Sequence, residues 1–134
     1  MSTQGRSRVL RGELTRFGIV GLLATAIHAA VYSDLAVRLH LEPLLATAAG
    51  FACAFSASFL GHRYWTFAHR RSAFSASLLR FLAAALLGLC SNAYFAWQLV
   101  DVLHLPAASA LAGVVFVTPL LVFVLSRFWV FSAK

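Results

Sequence analysis

The sequence predicts an all-α integral membrane protein of four transmembrane helices, arranged as two parallel tandem helical hairpins with both termini in the cytoplasm. Three observations predict this class. The chain contains four long apolar runs, its basic residues gather on alternate connections, and it matches itself at a single offset of 64 residues.

Composition sets the solvent. Of 134 residues, 61% are apolar and 11% charged, against about 45–50% and about 25% in soluble domains. The net charge of +7 would point to nucleic acid in a polar chain. Here the basic residues lie between apolar runs, so a membrane surface is the expected partner and nucleic acid is not. Cys53 and Cys90 fall inside apolar runs without CxxC spacing and read as buried, inert thiols.

The runs extend from Phe17 to Val37, Leu44 to Phe67, Phe81 to Leu103 and Ala107 to Phe131. Each is long enough, at about 1.5 Å per residue, to cross a hydrocarbon core of about 30 Å. Only a helix satisfies its own backbone polar groups in that medium without a closed sheet. The first run follows an Arg-rich start and contains the small Ala24 and Ala26, as an export signal does. It is longer than a signal core and matches the third run, so it is expected to remain as a span.

Orientation follows from the basic residues. With the N-terminus inside, Arg6, Arg8, Arg11, Arg16, Arg63, Arg70, Arg71, Arg80, Arg127 and Lys134 are cytoplasmic, and Arg38 alone is outside. The outer turns, Arg38 to Pro43 and His104 to Pro106, are short. The inner segment Ala68 to Arg80 is expected to lie on the membrane with Phe74, Leu78 and Leu79 down. The N-terminal tail, with Val9, Leu10 and Leu14 among basic residues, admits the same reading.

At the 64-residue offset, Arg16-Phe17 falls on Arg80-Phe81 and Leu39-His40-Leu41 on Leu103-His104-Leu105. Phe59, Arg63, Trp65 and Phe67 fall on Phe123, Arg127, Trp129 and Phe131. Coincidences of Leu or Ala are cheap in apolar sequence, whereas Arg, Trp and His at one offset imply a duplicated two-helix unit. The boundaries are one membrane domain over 1–134, with repeats at about 16–67 and 80–131 and a basic cytoplasmic tail over 1–15. A two-helix unit returns the chain to its starting side, so the copies are parallel.

The repeat marks His62-Arg63-Tyr64-Trp65-Thr66-Phe67 and Ser126-Arg127-Phe128-Trp129-Val130-Phe131 at the inner ends of the second and fourth helices. Two readings are open. Trp65 and Trp129 form an aromatic inner belt with snorkelling arginines, or Arg63 and Arg127 clamp a lipid phosphate bidentately, joined by Arg16 and Arg80. Deeper in the membrane lie His28 and, 64 residues on, Asn92, with Thr25 and Tyr32 one turn either side of His28. Polar groups at that depth are candidates for a substrate path or for interhelical hydrogen bonds. Toward the outer side, Asp34 precedes Arg38 in the order that favours an ion pair, and Gln98 stands at the level of Asp34, with Asp101 beyond it. Pro119 is expected to kink the fourth helix midway. His28 has no second ligand at metal spacing. Phosphate loops, HExxH and nucleophile elbows are missing, so neither cofactor nor catalysis is expected.

Taken together, Arg16-Phe17, Val20-Gly21, Ala24-Thr25, His28, and the doubled Arg-x-Trp-x-Phe ending resemble the GtrA family over nearly the whole chain beyond the tail. The resemblance implies a small bacterial inner-membrane protein that flips a polyprenyl-phosphate-linked monosaccharide made by a cytoplasmic-side membrane glycosyltransferase. The sugar then serves cell-surface polysaccharide synthesis or modification. Arg63, Arg127, Arg16 and Arg80 are then expected at the phosphate, and His28, Asn92, Asp34, Gln98 and Thr25 along a polar path. Four helices are few for enclosing such a path, so a homo-oligomer is expected. The competing readings are a non-transporting scaffold that recruits the transferase, a small proton-coupled exporter and a membrane enzyme.

Overall fold

The computed structural model describes residues 3–70, 72–106 and 116–132, and they contain helices and connections without a strand. Helix α1 spans Thr3–Tyr32, α2 Pro43–Gly61, α3 Phe74–Ala96 and α4 Thr118–Leu125. Each continues into a π-helical turn, at Ser33–Arg38, His62–Thr66, Trp97–Val102 and Ser126–Val130 respectively.

Among the described residues, three stretches are long and apolar enough to cross a membrane: Ser7–Arg38, Pro43–Thr66 and Phe74–Leu99. The fourth, Thr118–Val130, is apolar but shorter. The expected start of the fourth span at Ala107 lies outside the described residues, as do Arg71 and Lys134 of the charge count. Leu22, Leu44 and Phe116, all above 70% exposed, show that the helices turn large apolar side chains outward, as a chain solvated by lipid does.

Several local expectations change. The basic tail is not a separate surface element: α1 runs without a break from Thr3 through the apolar run. The tail contains no proline, and its Arg and Leu residues favour helix. The segment Ala68 to Arg80 likewise does not form an independent surface helix, because α3 already begins at Phe74. Pro119 lies in the first turn of α4, which directly follows the helical Phe116 and Val117, and the stretch before these, which the expected midway kink also involves, lies outside the described residues. Cys53 and Cys90 are free and exposed rather than buried; in lipid, an apolar run need not be turned inward.

The chain forms two compact units, Met1–His69 and Arg70–Lys134. In the first, α1 packs against α2, with Phe17, Val20, Ala46, Phe59 and Phe67 buried. Two glycines allow the close approach. A Cβ at Gly61 would lie 2.8 Å from Val20 Cγ1, and one at Gly50 would lie 3.2 Å from His28 Nδ1. In the second unit α3 packs against α4, with Phe81, Ala84, Phe123, Val130 and Phe131 buried. There a Cβ at Gly88 would meet Val122 Cγ2 at 3.1 Å.

The helix ends recur at the 64-residue offset in backbone detail. The N–H of Leu39 donates to the Asp34 carbonyl at 3.0 Å and that of Leu103 to Gln98 at 3.1 Å. His40 and His104, the next residues, are left-handed with φ of 54° and 52°. The N–H groups of Leu41 and Leu105 then return to Leu35 and Leu99. This close resembles a Schellman cap widened by one residue, because the turn before it is π rather than α.

Candidate functional site at the basic end

A helix C-terminus leaves carbonyls without intrahelical partners, and cations beside them are favoured by the helix dipole. Both units meet that need with an arginine from the neighbouring helix. Arg16 Nη1 donates to the Trp65 carbonyl at 3.3 Å, and Arg80 Nη1 donates to the Trp129 carbonyl at 3.2 Å. The Arg16 guanidinium also lies 5.9 Å from the Trp65 ring centre, within cation–π range. Arg16 and Arg80 therefore each join the two helices of their own hairpin at its basic end.

Arg63 and Arg127 are half-buried, with their Nε atoms enclosed. Each guanidinium carbon sits beside the next residue's ring, 5.8 Å from Tyr64 and 5.5 Å from Phe128. Tyr64, Phe128, Trp65 and Trp129 are exposed, so these rings form the outer surface of the ends. Arg70, absent from the expected set, donates from Nη1 to the Arg127 carbonyl at 3.0 Å.

Beneath this surface the two units differ. In the first, His62 is 2% exposed, stacks on Phe17 at 4.4 Å with the rings 12° apart, and places Nδ1 3.1 Å from Thr66 Oγ1. In the second, the corresponding residues are Ser126 and Val130, both buried, and Phe81 meets Phe131 at 6.1 Å. Glu13 is 3% exposed, and its Oε1 meets His69 Nε2 at 3.1 Å. The counterpart of Glu13 is Ser77, whose hydroxyl donates to the Phe74 carbonyl at 2.9 Å. A cleft of about 410 Å³ opens here in the first unit, lined by Arg8, Val9, Gly12, Glu13, Arg16, Thr66 and His69.

The deeper candidates are each held within their own unit. His28 lies against Gly50 of α2. Thr25 is exposed and returns its hydroxyl to the Gly21 carbonyl at 2.9 Å, so it is bonded to its own helix. Asn92 Oδ1 accepts a hydrogen bond from Thr118 Oγ1 at 2.5 Å, joining α3 to α4. At the opposite end, Arg38 Nη1 meets Asp34 Oδ1 at 2.7 Å in an exposed pair. The pair borders an open cleft of about 570 Å³ with Ala30, Val31, Ser33 and Leu35. Gln98 is half-buried, and its carbonyl closes the π turn.

Sequence reading names the repeated arginines and the polar positions but misses Glu13–His69, His62–Thr66 and Arg70. The missed polar pairs in the first unit are the places where the 64-residue register breaks. Glu13 faces Ser77, His62 faces Ser126 and Thr66 faces Val130 in that register. A search for polar mismatches within the repeat would find His62 and Thr66, whereas Glu13, His69 and Arg70 lie beyond its ends.

Outward apolar faces and arginine-closed helix ends define a multi-pass helical membrane protein. The chain belongs to the GtrA/DPMS transmembrane domain family, whose model matches residues 16–131. No curated protein matches the chain.

Proposed function

We propose that the protein translocates a polyprenyl-phosphate-linked monosaccharide across the bacterial cytoplasmic membrane, for cell-surface polysaccharide synthesis or modification. The family suggests a polyprenyl-phosphate sugar flippase type. The observation that carries the reading is the arginine–aromatic end that each hairpin presents. Arg63 and Arg127 are each set beside an aromatic ring, while Arg16 and Arg80 hold the backbone behind them. Planar guanidinium forks suit phosphate oxygens, and aromatic rims suit the depth of lipid headgroups.

On this reading the chain has four spans formed by a duplicated two-helix unit, and its basic end and both termini lie in the cytoplasm. The candidate phosphate contacts are Arg63 and Arg16 in the first unit and Arg127 and Arg80 in the second. His28, Asn92, Thr25, Asp34 and Gln98 mark the sugar's path, and the polyprenyl tail stays in lipid. The donor is a cytoplasmic-side membrane glycosyltransferase, and a homo-oligomer encloses the route. No cofactor enters.

The test is reconstitution. Purified protein in liposomes should carry a labelled short-chain polyprenyl-phosphate sugar from one leaflet to the other faster than protein-free liposomes do. Folded, correctly inserted protein without such activity refutes translocation. The scaffold reading then takes its place, supported by the basic first turns of α1, and co-purification with a transferase tests it.

A further inference from the structure

We infer that the cleft at the basic end of the first unit binds the glycosyl-phosphate headgroup, with the Glu13 carboxylate accepting hydrogen bonds from the sugar hydroxyls. The inference rests on the translocation reading and assigns it a sugar-recognition site.

The chemistry of the walls selects the ligand. The cleft combines Arg8 and Arg16 with Glu13, His69 and Thr66. A site for bare phosphate gains nothing from a carboxylate, which repels the anion. A site for a metal cation gains nothing from two arginines. A glycosyl phosphate uses both, because its phosphate accepts from guanidinium N–H groups while its hydroxyls donate to an acceptor-only carboxylate. The two arginines and the carboxylate together carry one net positive charge, matching the single negative charge of a phosphodiester. The volume of about 410 Å³ lies within the range of about 300–1,000 Å³ typical of small-molecule sites.

The second unit strengthens the assignment. At the register positions of Arg8, Gly12, Glu13 and Thr66 it carries Ser72, Ala76, Ser77 and Val130. Arg16 alone of the cleft's charged groups keeps its counterpart, Arg80, and both share the carbonyl contact that closes the hairpin. The second unit thus has no Glu–His pair at these register positions, while Arg80 keeps the hairpin contact made by Arg16. Glu13 is engaged by His69, which is 52% exposed at its side chain and lines the cleft. Sugar hydroxyls take over the carboxylate as His69 swings aside.

The experiment measures binding to purified protein of a short-chain prenyl-phosphate sugar, the same prenyl phosphate without sugar, and free hexose 1-phosphate. Wild type should prefer the glycosylated lipid to the bare lipid phosphate. Glu13→Gln should lose about ten-fold or more for the glycosylated lipid and little for the bare one. Gly12→Leu provides a variant that tests the cleft without altering its charges. A Cβ at Gly12 meets nothing within 4 Å, so the larger side chain should fill the cleft and block the glycosylated lipid. His69→Ala should bind at least as tightly as wild type, since it removes one competitor for the carboxylate. If Glu13 serves only to hold His69, His69→Ala and Glu13→Gln fail alike and the inference is overturned. Full sugar preference in both Glu13→Gln and Gly12→Leu also overturns it, while leaving translocation standing. Wild type that binds neither lipid overturns both readings. Equal binding of free hexose 1-phosphate supports the cleft and assigns it a water-soluble source.

Discussion

Replacing Gly61 with alanine should separate the helices of the first hairpin. The added Cβ would lie 2.8 Å from Val20 Cγ1, 3.0 Å from Cγ2 and 3.6 Å from Cβ. Carbon atoms prefer roughly 3.5–4.0 Å, so two methyl groups are too close. Val20 is buried and β-branched, and a β-branched side chain in a helix has essentially one rotamer. Relief must come from backbone displacement, at about 1–3 kcal/mol for overpacking. Alanine's helix propensity returns about 1 kcal/mol. Gly18→Ala controls for that gain, because its Cβ meets nothing within 4 Å. Equilibrium unfolding in detergent should therefore place Gly61→Ala about 1–3 kcal/mol below Gly18→Ala. Adding Val20→Ala to Gly61→Ala should recover stability, giving a coupling above about 0.5 kcal/mol in the double-mutant cycle. Equal stability of the two glycine variants, or additive behaviour in the cycle, would refute the close-approach argument.

Three further outcomes are expected. Reporter fusions within 68–77 and after Lys134 should read as cytoplasmic and one near Glu42 as external; an external C-terminus would overturn the four-span topology. Arg63→Lys with Arg127→Lys should weaken binding of a lipid-linked sugar phosphate by about ten-fold or more at matched abundance, because lysine keeps the charge but loses the fork. Unchanged affinity would make both arginines interfacial anchors. His28→Ala should abolish glycan modification at near-normal abundance, and filling the resulting space with Gly50→Ala should not restore it; recovery of activity would make His28 a packing residue.

What is legible in the sequence is what repeats. Phe17, Phe59 and Phe67 are buried, as are Phe81, Phe123 and Phe131, and all are visible as matches at one offset. The ion pair of Asp34 with Arg38 follows from helical spacing and is present. The π turns are not legible, because they depend on which carbonyl each N–H selects at the helix end. Nor does periodicity reveal that Arg16 and Arg80 reach carbonyls 49 residues away. The continuity of α1 is missed for another reason: a polar helix and its apolar continuation look like tail and span when hydropathy alone is read.

The two units give a physical basis for dividing structural from functional polar groups. A contact made twice, as by Arg16 and Arg80 to the tryptophan carbonyls, serves a need common to both hairpins: closing a helix C-terminus where the backbone would otherwise want water. A polar group kept buried in one unit and replaced by Ser or Val in the other serves no such common need. Glu13, His62 and Thr66 meet that description, and burying them carries a desolvation cost that an apolar core does not. The second hairpin closes its end with Ser77, Ser126 and Val130 in the same register. The cost borne by the first hairpin is therefore best spent on recognition, which places the search for the headgroup's sugar at α1 and α2 rather than evenly over both ends.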